Sequence, residues 1–589
     1  MLKLLVRTCF FAPGLLLYAL PAQAQLPAGL PDAAKPAAQI PQEVFLYPEL
    51  EPEPGKYIVP PVVDRPLGVA EGPRIKIDAF ELRGVVDRPD QGLKVEEVWK
   101  IIETSRTAHP DGLTIGELQE LANEITNYYR DRGFIVAHAF IPVQTVEDGI
   151  VTIQVLEGVL GRVLVEGNKR YKPEMLGVPF EDLLGKPLTK AKVESALVRM
   201  GDYPGLTTFG IFQPGEEVGD SDLVLKVQEE KGSDIVFSLN NHGSQFTGEY
   251  LAAVDIGINN MFRQADRLDM TFQQSYDPSL ANYKSIEYSQ MLFKPQYRIE
   301  VGYTDSEFDI APGGTGIQGL RGLSQSAYIR FRNDIERSRL RNSYWLFSLD
   351  GKLGETYQVD NLLARDSLAV LSIEYGFDSL DAETQGLNNF VVKYSHGQNF
   401  LGAMDAYNDP ESSRITGSGD RLGSRFDKIF LSYTRLQTIS PTSSFLFRSN
   451  IQYTDNPLVG LEQYAMGGPD NVRAYAASEN TVDRGFFLSA EYILNAPGFA
   501  DKPSPFGNRK WGEVFTVSGF LDWAHGELID PLSSQSRYES LKGVGFGTQL
   551  LVPGSFTAKM TAAWPTLDSI GPANKRRPQV FFSFEADLF

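Results

Sequence analysis

From Ser233 onward the chain alternates between apolar and polar positions. In Val514–Trp523, Phe515, Val517, Leu521 and Trp523 share one face, and Thr516, Ser518, Phe520 and Asp522 share the other. Phe556, Ala558, Met560, Ala562 and Trp564 oppose Thr557, Lys559 and Thr561 in the same way. Val544, Phe546 and Leu550 oppose Gly545, Gly547 and Gln549, and Phe486, Leu488, Ala490 and Tyr492 oppose Phe487, Ser489 and Glu491. Side chains of a strand point alternately to its two faces, so a period of two predicts strands with one apolar and one wetted side. Sixteen such segments are expected, beginning near Ile235, Tyr250, Arg267, Ser285, Arg298, Ser326, Ser343, Leu368, Phe390, Lys428, Phe445, Phe486, Val514, Val544, Phe556 and Gln579.

Soluble sandwiches alternate too, but three features favour a closed barrel in a bilayer. The count is even, the repeat is about 22 residues per strand and loop, and the connections differ by side. With the first strand rising outward, the long connections Thr304–Gln325, His396–Asp427 and Asp455–Gly485 all fall outside. Phe293–Tyr297 and Pro553–Ser555 are short turns on the other side, where Asn495–Gly512 is the one long exception. A closed barrel has no unpaired edge and satisfies its backbone groups within lipid. The terminal Phe589 adds little, because it falls on the face opposite Val580, Phe582, Phe584, Ala586 and Leu588.

The first part of the chain has other periods. Residues 25–73 are rich in proline and read as an extended linker. Ile75–Gly84 reads as a strand, and Thr114–Arg132 as an amphipathic helix carrying Leu118, Leu121, Ile125, Tyr128 and Tyr129, with Thr114 and Glu117 as a capping box. Phe134–Val143 and Ile150–Leu156 read as strands. The order then repeats: strand Arg162–Gly167, helix Thr189–Met200, strands Phe209–Pro214 and Leu223–Gln228. Repeated units of one pattern predict tandem modules, 74–158 and 159–231, ahead of a barrel over 232–589.

Composition changes the picture at the N-terminus. Lys3 and Arg7, the apolar run Cys9–Leu20 and Ala22-Gln23-Ala24 predict a secretory signal peptide over residues 1–24. Cys9 is the only cysteine, so the exported chain would carry no thiol and no disulfide. A formal charge of −20 leaves no basic stripe for nucleic acid. No catalytic constellation, metal site or cofactor site is expected. The Gly314–Gly319 stretch matches a dinucleotide fingerprint in letters but is followed by a strand rather than a helix. Ser518 and Asp522 lie about 13 Å apart on one strand face, too far for a triad with His525. The five histidines show no metal-ligand spacing.

Several local stretches carry a resemblance. Tyr129-Arg130-Asp131-Arg132-Gly133-Phe134, followed by Phe140-Ile141-Pro142-Val143-Gln144, is similar to the first polypeptide-transport-associated (POTRA) domain of the two-partner secretion transporters, the TpsB family. Asn240-Asn241-His242-Gly243-Ser244, followed by Thr247-Gly248, is similar to that family's barrel start. Val472-Arg473-Ala474-Tyr475 resembles its Val-Arg-Gly-Tyr loop motif, and Phe520-Leu521-Asp522-Trp523-Ala524 its Phe-x-Asp-x-Gly wall motif, each with Ala for Gly. The resemblance covers roughly residues 75–589.

It implies two tandem α+β POTRA domains followed by a 16-stranded antiparallel transmembrane β-barrel, placed in the bacterial outer membrane with the POTRA domains in the periplasm. It further implies that the sixth outer loop folds into the lumen. Asp522 faces the lumen by alternation and needs a cation or water, and Arg473 is the expected partner. The candidate site is therefore Val472, Arg473, Ala474 and Tyr475 on the loop, with Phe520, Asp522 and Ala524 on the wall. The implied function is capture of an unfolded exoprotein by the POTRA domains and its passage through the barrel without nucleotide. The alternative is an insertase of the barrel-assembly class, which typically carries more POTRA modules. Expected partners are the secreted client, the bilayer with its lipopolysaccharide, and the barrel-assembly machinery during biogenesis. Pro27, Pro31, Pro36 and Pro41 argue against the pore-plugging helix that many family members carry near the N-terminus.

Overall fold

A computed structural model describes residues 57–59, 72–146, 149–244, 246–310, 319–566, 572 and 574–588. The expected signal peptide, nearly all of the proline-rich stretch, the glycine run 314–318 and Phe589 lie outside these residues.

A two-residue strand, β1 (Tyr57–Ile58), precedes the first module. That module comprises β2 (Ala79–Arg83), α1 (Val95–Ala108), α2 (Ile115–Asp131), β3 (His138–Phe140) and β4 (Ile150–Leu156). Its sheet order is β2-β4-β3, with β2 parallel and β3 antiparallel to β4. The capping box forms: Glu117 N donates to Thr114 Oγ1 at 3.1 Å, and Thr114 N donates to Glu117 Oε2 at 2.8 Å. Leu121, Ile125 and Tyr129 of α2 bury one stripe against Val98 and Ile102 of α1 and Ile153 and Val155 of β4.

The expected strand Phe134–Val143 is shorter, because its start is a turn. Gly133 takes φ +91°, Phe134 N donates to Tyr129 O, and the Phe134 ring meets Tyr129 edge-on at 5.8 Å. Burial of Phe134 therefore serves the end of α2 rather than a sheet face. Likewise only Ala79–Arg83 of the expected Ile75–Gly84 is strand.

The second module repeats the first: β5 (Val159–Glu166), α3 (Pro173–Gly177), α4 (Lys190–Gly201), β6 (Leu206–Pro214) and β7 (Asp220–Glu229). Here β5 is parallel and β6 antiparallel to the central β7. Leu197 and Met200 of α4 pack on Phe212, Leu223 and Leu225 of the sheet. β1 lies along the free side of β6.

The barrel closes with sixteen strands, matching the expected number and order. They are β8 (Ser233–Asn240), β9 (Tyr250–Asn259), β10 (Asp266–Tyr276), β11 (Ala281–Met291), β12 (Tyr297–Asp309), β13 (Leu320–Arg337), β14 (Arg341–Gln358) and β15 (Asn361–Asp381). Then follow β16 (Gly386–Gly397), β17 (Phe426–Ser440), β18 (Ser443–Tyr453), β21 (Arg484–Asn495), β22 (Phe515–Glu527), β23 (Tyr538–Val552), β24 (Phe556–Pro565) and β25 (Gln579–Asp587). The sixth outer loop contributes a small ribbon, β19 (Tyr464–Met466) and β20 (Asn480–Val482). Antiparallel pairing of β25 with β8 seals the barrel.

Alternation divides the wall as expected. Leu521 and Trp523 are 61% and 42% exposed on the lipid face, whereas Phe520 and Asp522 are buried on the lumen side. The loop expected over Thr304–Gln325 is mostly strand, because the β12–β13 ladder runs on to Asp309↔Arg321. Its inward Thr304, Ser306 and Ser324 are polar, and that composition reads as loop. The long periplasmic connection is ordered: it ends in α5 (Trp511–Val514), and Phe499 and Phe506 each meet Trp511 edge-on.

The second module touches the barrel through polar groups as well as through Ala265 and Met291. Asp202 at the end of α4 accepts from Arg337 Nε at 2.9 Å, and Lys294 Nζ donates to Asp182 at 2.9 Å. Ser195 Oγ donates to Arg337 O at 2.7 Å.

Candidate functional site: the anchored sixth loop

The sixth outer loop, 454–483, turns inward. β19 and β20 pair Tyr464 with Val482 and Met466 with Asn480, which starts the loop as a ribbon. At its tip Gly467 and Gly468 take φ +97° and +107°, conformations that side chains rarely adopt. Asn471 Oδ1 accepts from Val472 N at 2.9 Å, and Tyr475 N donates to Val472 O at 3.1 Å. These local bonds make a tight turn with Arg473 in its bend.

Arg473 is 2% exposed and meets the barrel wall at four acceptor atoms. Its Nε donates to Asp522 Oδ2 at 2.8 Å and its Nη2 to Asp522 Oδ1 at 2.9 Å, a bidentate pair. Nη1 donates to Glu491 Oε2 at 2.7 Å, and Nη2 also donates to Ser489 Oγ at 3.2 Å. The Arg473 backbone N–H donates to Asp522 Oδ2 at 3.1 Å. Ser489 lies directly opposite Asp522 in the β21–β22 register, and its hydroxyl donates to Asp522 Oδ1 at 2.8 Å. The guanidinium carbon stands 3.2 Å from the centroid of the Phe520 ring. Phe520 is thus an aromatic floor for the planar cation, which accounts for an aromatic residue on the lumen face.

The rest of the motif packs. Val472, Ala474 and Tyr475 are fully buried with Phe487, Ala524, Leu541 and Ala563. Ala474, standing where the family motif has glycine, finds its room on the wall. A Cβ on Gly543 would come 2.7 Å from Ala474 Cβ, and Gly543 pairs with Asp522 across β22–β23. All seven sequence-predicted site residues therefore meet in one place.

Two further tethers carry little sequence signal, being lone carboxylates in loop segments. Glu462 is buried between Lys352 of β14 and Lys428 of β17, each ammonium 2.7 Å from a carboxylate oxygen. Burial pushes the Glu462 carboxyl up, but the two ammonium groups outweigh it and hold it well below the usual carboxylate range. Asp483, at the loop's end, is fully buried and accepts from Arg414 of the fifth outer loop, from Leu458 N at 3.0 Å and from Ile529 N of the seventh at 2.7 Å. The inward parity of Lys352 and Lys428 was the only available hint. The serine–aspartate–histidine set is not assembled: Asp522 is committed to Arg473, and His525 falls on the other face of β22.

Comparison with known proteins finds relatives along most of the chain. Residues 219–506 match the family model described as haemolysin secretion/activation protein ShlB/FhaC/HecB, and residues 81–158 match the POTRA domain, ShlB-type. The heme/hemopexin transporter protein HuxB of Haemophilus influenzae is 23% identical over 501 residues, 84% of each chain. The hemolysin transporter protein ShlB of Serratia marcescens is 24% identical over 400 residues, 64% of this chain and 66% of that one. The solved structure of CdiB from Escherichia coli superposes with a TM-score of 0.64 at 19% identity, covering 88% of this chain and 91% of that one. With its paired αβ modules and its loop clamped to the lumen wall, the chain belongs to the haemolysin secretion/activation family and is an outer-membrane transporter of the two-partner secretion type.

Proposed function

We propose that the modules at 74–158 and 159–231 capture one unfolded exoprotein in the periplasm, and that the barrel passes it outward past a sixth loop held by Arg473. The client supplies the drive by folding outside, since the periplasm offers no nucleotide. The chain itself performs no covalent chemistry in this reading. Its lipid face meets the bilayer and its lipopolysaccharide, and the barrel-assembly machinery inserts it. The observation that carries the reading is the bidentate Arg473–Asp522 pair, with Glu491 and Ser489 completing it. Such a site fixes the angle as well as the position of the loop. Val472, Ala474, Tyr475, Phe520 and Ala524 seat that cation in this reading.

The test is deletion of the gene followed by comparison of the culture media. One large protein should vanish from the medium and return with a plasmid copy of the wild-type gene. A medium unchanged by the deletion, with outer-membrane barrels depleted instead, would favour the insertase reading.

A further inference from the structure

Arg448 of β18 is a lumen-facing cation that the resting latch does not use. It lies directly opposite Ser489, which in turn lies opposite Asp522, so the three stand in one row across β18, β21 and β22. The Arg448 Nε is buried without a hydrogen-bond partner, and the guanidinium carbon stands 5.6 Å from the centroid of the Phe487 ring. Among the described residues no carboxylate lies within 4.0 Å of its nitrogens, nor of the Lys559 ammonium on the lumen face of β24. A buried donor left without an acceptor costs free energy and calls for an explanation. A second arrangement of the site, in which the acceptor is present, supplies one.

The charges around the latch balance in two separate sets. Those acting chiefly on Arg448 are Arg473, Asp522, Glu491 and Asp470, and those acting on Lys559 are Arg448, Glu491, Asp470 and Arg473. The loop brings one of each sign, Arg473 and Asp470. The wall brings two of each, Arg448 and Lys559 against Glu491 and Asp522. Departure of the turn therefore leaves the wall neutral. In the resting protein Arg473 occupies both acids, with Nη1 on Glu491 and its fork on Asp522, and so keeps Arg448 from them. Glu491 lies two residues along β21 from Ser489, which makes it the diagonal neighbour of Arg448, at a spacing of roughly 7–8 Å that a long side chain spans. Toward Lys559, β23 presents glycine at 543, 545 and 547 to the lumen, so no side chain of those positions stands between β24 and the acids.

We propose that Arg448, with Lys559 beside it, is the wall's replacement cation: when the Arg473 turn swings off the wall, the Arg448 guanidinium moves from Phe487 onto Glu491 and Asp522, and the latch gains a second, charge-balanced setting. This rests on the reading above, in which the loop held by Arg473 governs passage. A buried carboxylate deprived of its cation is strongly destabilising, so a wall without a replacement would resist release of the loop. Arg448 removes that resistance and acts as a positioning residue for the open setting.

The sign of one measurement tests it. Arg448→Met removes the repulsion on Arg473 in the closed setting and the partner of the acids in the open one, and both changes favour closure. Hydrogen exchange at 467–476 of the purified full chain should therefore slow by roughly tenfold or more against wild type, with heat-modifiability unchanged. Arg448→Lys keeps the charge and should exchange close to wild type. Client level in the medium should fall with Arg448→Met. A second pair of variants reads the wall itself. Arg473→Ala should keep its barrel level, because Arg448 takes the two acids, whereas Arg473→Ala combined with Arg448→Met should lose most of its heat-modifiable barrel. Exchange needs no client, so an absence of secretion by wild type would strike the transport reading and leave this result standing. Exchange that is unchanged or faster in Arg448→Met would overturn the proposal. So would loss of the barrel in Arg448→Met alone, which would make Arg448 a brace of the resting wall, or a double variant with the wild-type barrel level.

Discussion

Arg414 of the fifth outer loop grips Asp483 at the end of the sixth with both terminal nitrogens, Nη2 lying 2.9 Å from Oδ2. The same guanidinium donates to Leu458 O at 2.5 Å and to Ile529 O at 3.0 Å, so one arginine joins outer loops five, six and seven. Met404 and Leu422 of the fifth loop and Leu458 and Val459 of the sixth pack with Leu368 and Val370 of β15.

Arg414→Ala should loosen this junction. It leaves a fully buried carboxylate short of its cation, and breaking a buried pair by removing one partner costs about 3–5 kcal/mol. The wall does not depend on the pair, so heat-modifiability on gels should be unchanged. Ion conductance of the purified protein in planar bilayers should rise several-fold over wild type. Conductance at the wild-type level would show that loops five to seven do not limit the exit.

Glu462→Gln should free the inner crossing of the sixth loop. The amide cannot neutralise Lys352 and Lys428, and two ammonium groups would then face each other across a buried gap. Hydrogen exchange at 458–463 should quicken, while the Arg473 turn keeps its protection. The sign of the pH effect follows from the depressed carboxyl. Its stabilisation is complete above the ordinary carboxylate pKa of about 4.3 and is lost only as pH falls through the lower folded value. Exchange of the wild-type loop, corrected for intrinsic rates, should therefore be flat from pH 7 to 5. A rise within that window would mean that the ammonium groups do not hold Glu462.

The barrel was legible in the sequence because each strand has lipid on one face and water or polar wall on the other, which writes a period of two. Parity alone places Phe520 and Asp522 in the lumen, and the structure buries both there. The ends of elements were less legible. β12 and β13 continue through Ser306 and Ser324 because a lumen-facing strand reads as polar as a loop. Phe134 reads as strand because it is apolar, although it is buried by a turn that closes α2. The Glu462 and Asp483 tethers join positions distant in sequence, and no local pattern marks a carboxylate whose cation comes from another strand or loop. The room for Ala474 was equally hidden, since it depends on Gly543 across the loop–wall contact.

Removing residues 75–231 should leave an assembled barrel that no longer secretes its client. The two modules have their own cores, around Leu121 and Tyr129 in one and Leu197 and Phe212 in the other. Among the described residues, only Ala265 and Met291 of the barrel join the second core, and the two sides also meet through the ion pairs Asp202–Arg337 and Asp182–Lys294. Interfaces of this kind release without unfolding either side. The check is heat-modifiability in isolated outer membranes beside client level in the medium. Normal secretion by the truncated chain would show that the modules do not recognise the client.

Arg473→Ala should abolish the hold of the sixth loop on the wall. The substitution strands two carboxylates, Asp522 and Glu491, against a buried aromatic floor, so the cost should reach the 3–5 kcal/mol of a broken buried pair rather than that of one charged hydrogen bond. The turn can leave the wall and let water reach both acids, so the loss should appear as release of 467–476 and reduced secretion. Barrel level and heat-modifiability should stay near wild type. Arg473→Lys should rescue poorly, because an ammonium cannot reach both oxygens of Asp522 with Glu491 and lie flat on Phe520. Asp522→Asn should be milder than Arg473→Ala, since Glu491 remains to hold the cation. The double variant should be little worse than Arg473→Ala alone, as expected for residues acting through one contact. Additive defects in secretion, or full activity of Arg473→Lys, would show that charge without the two-pronged geometry holds the loop.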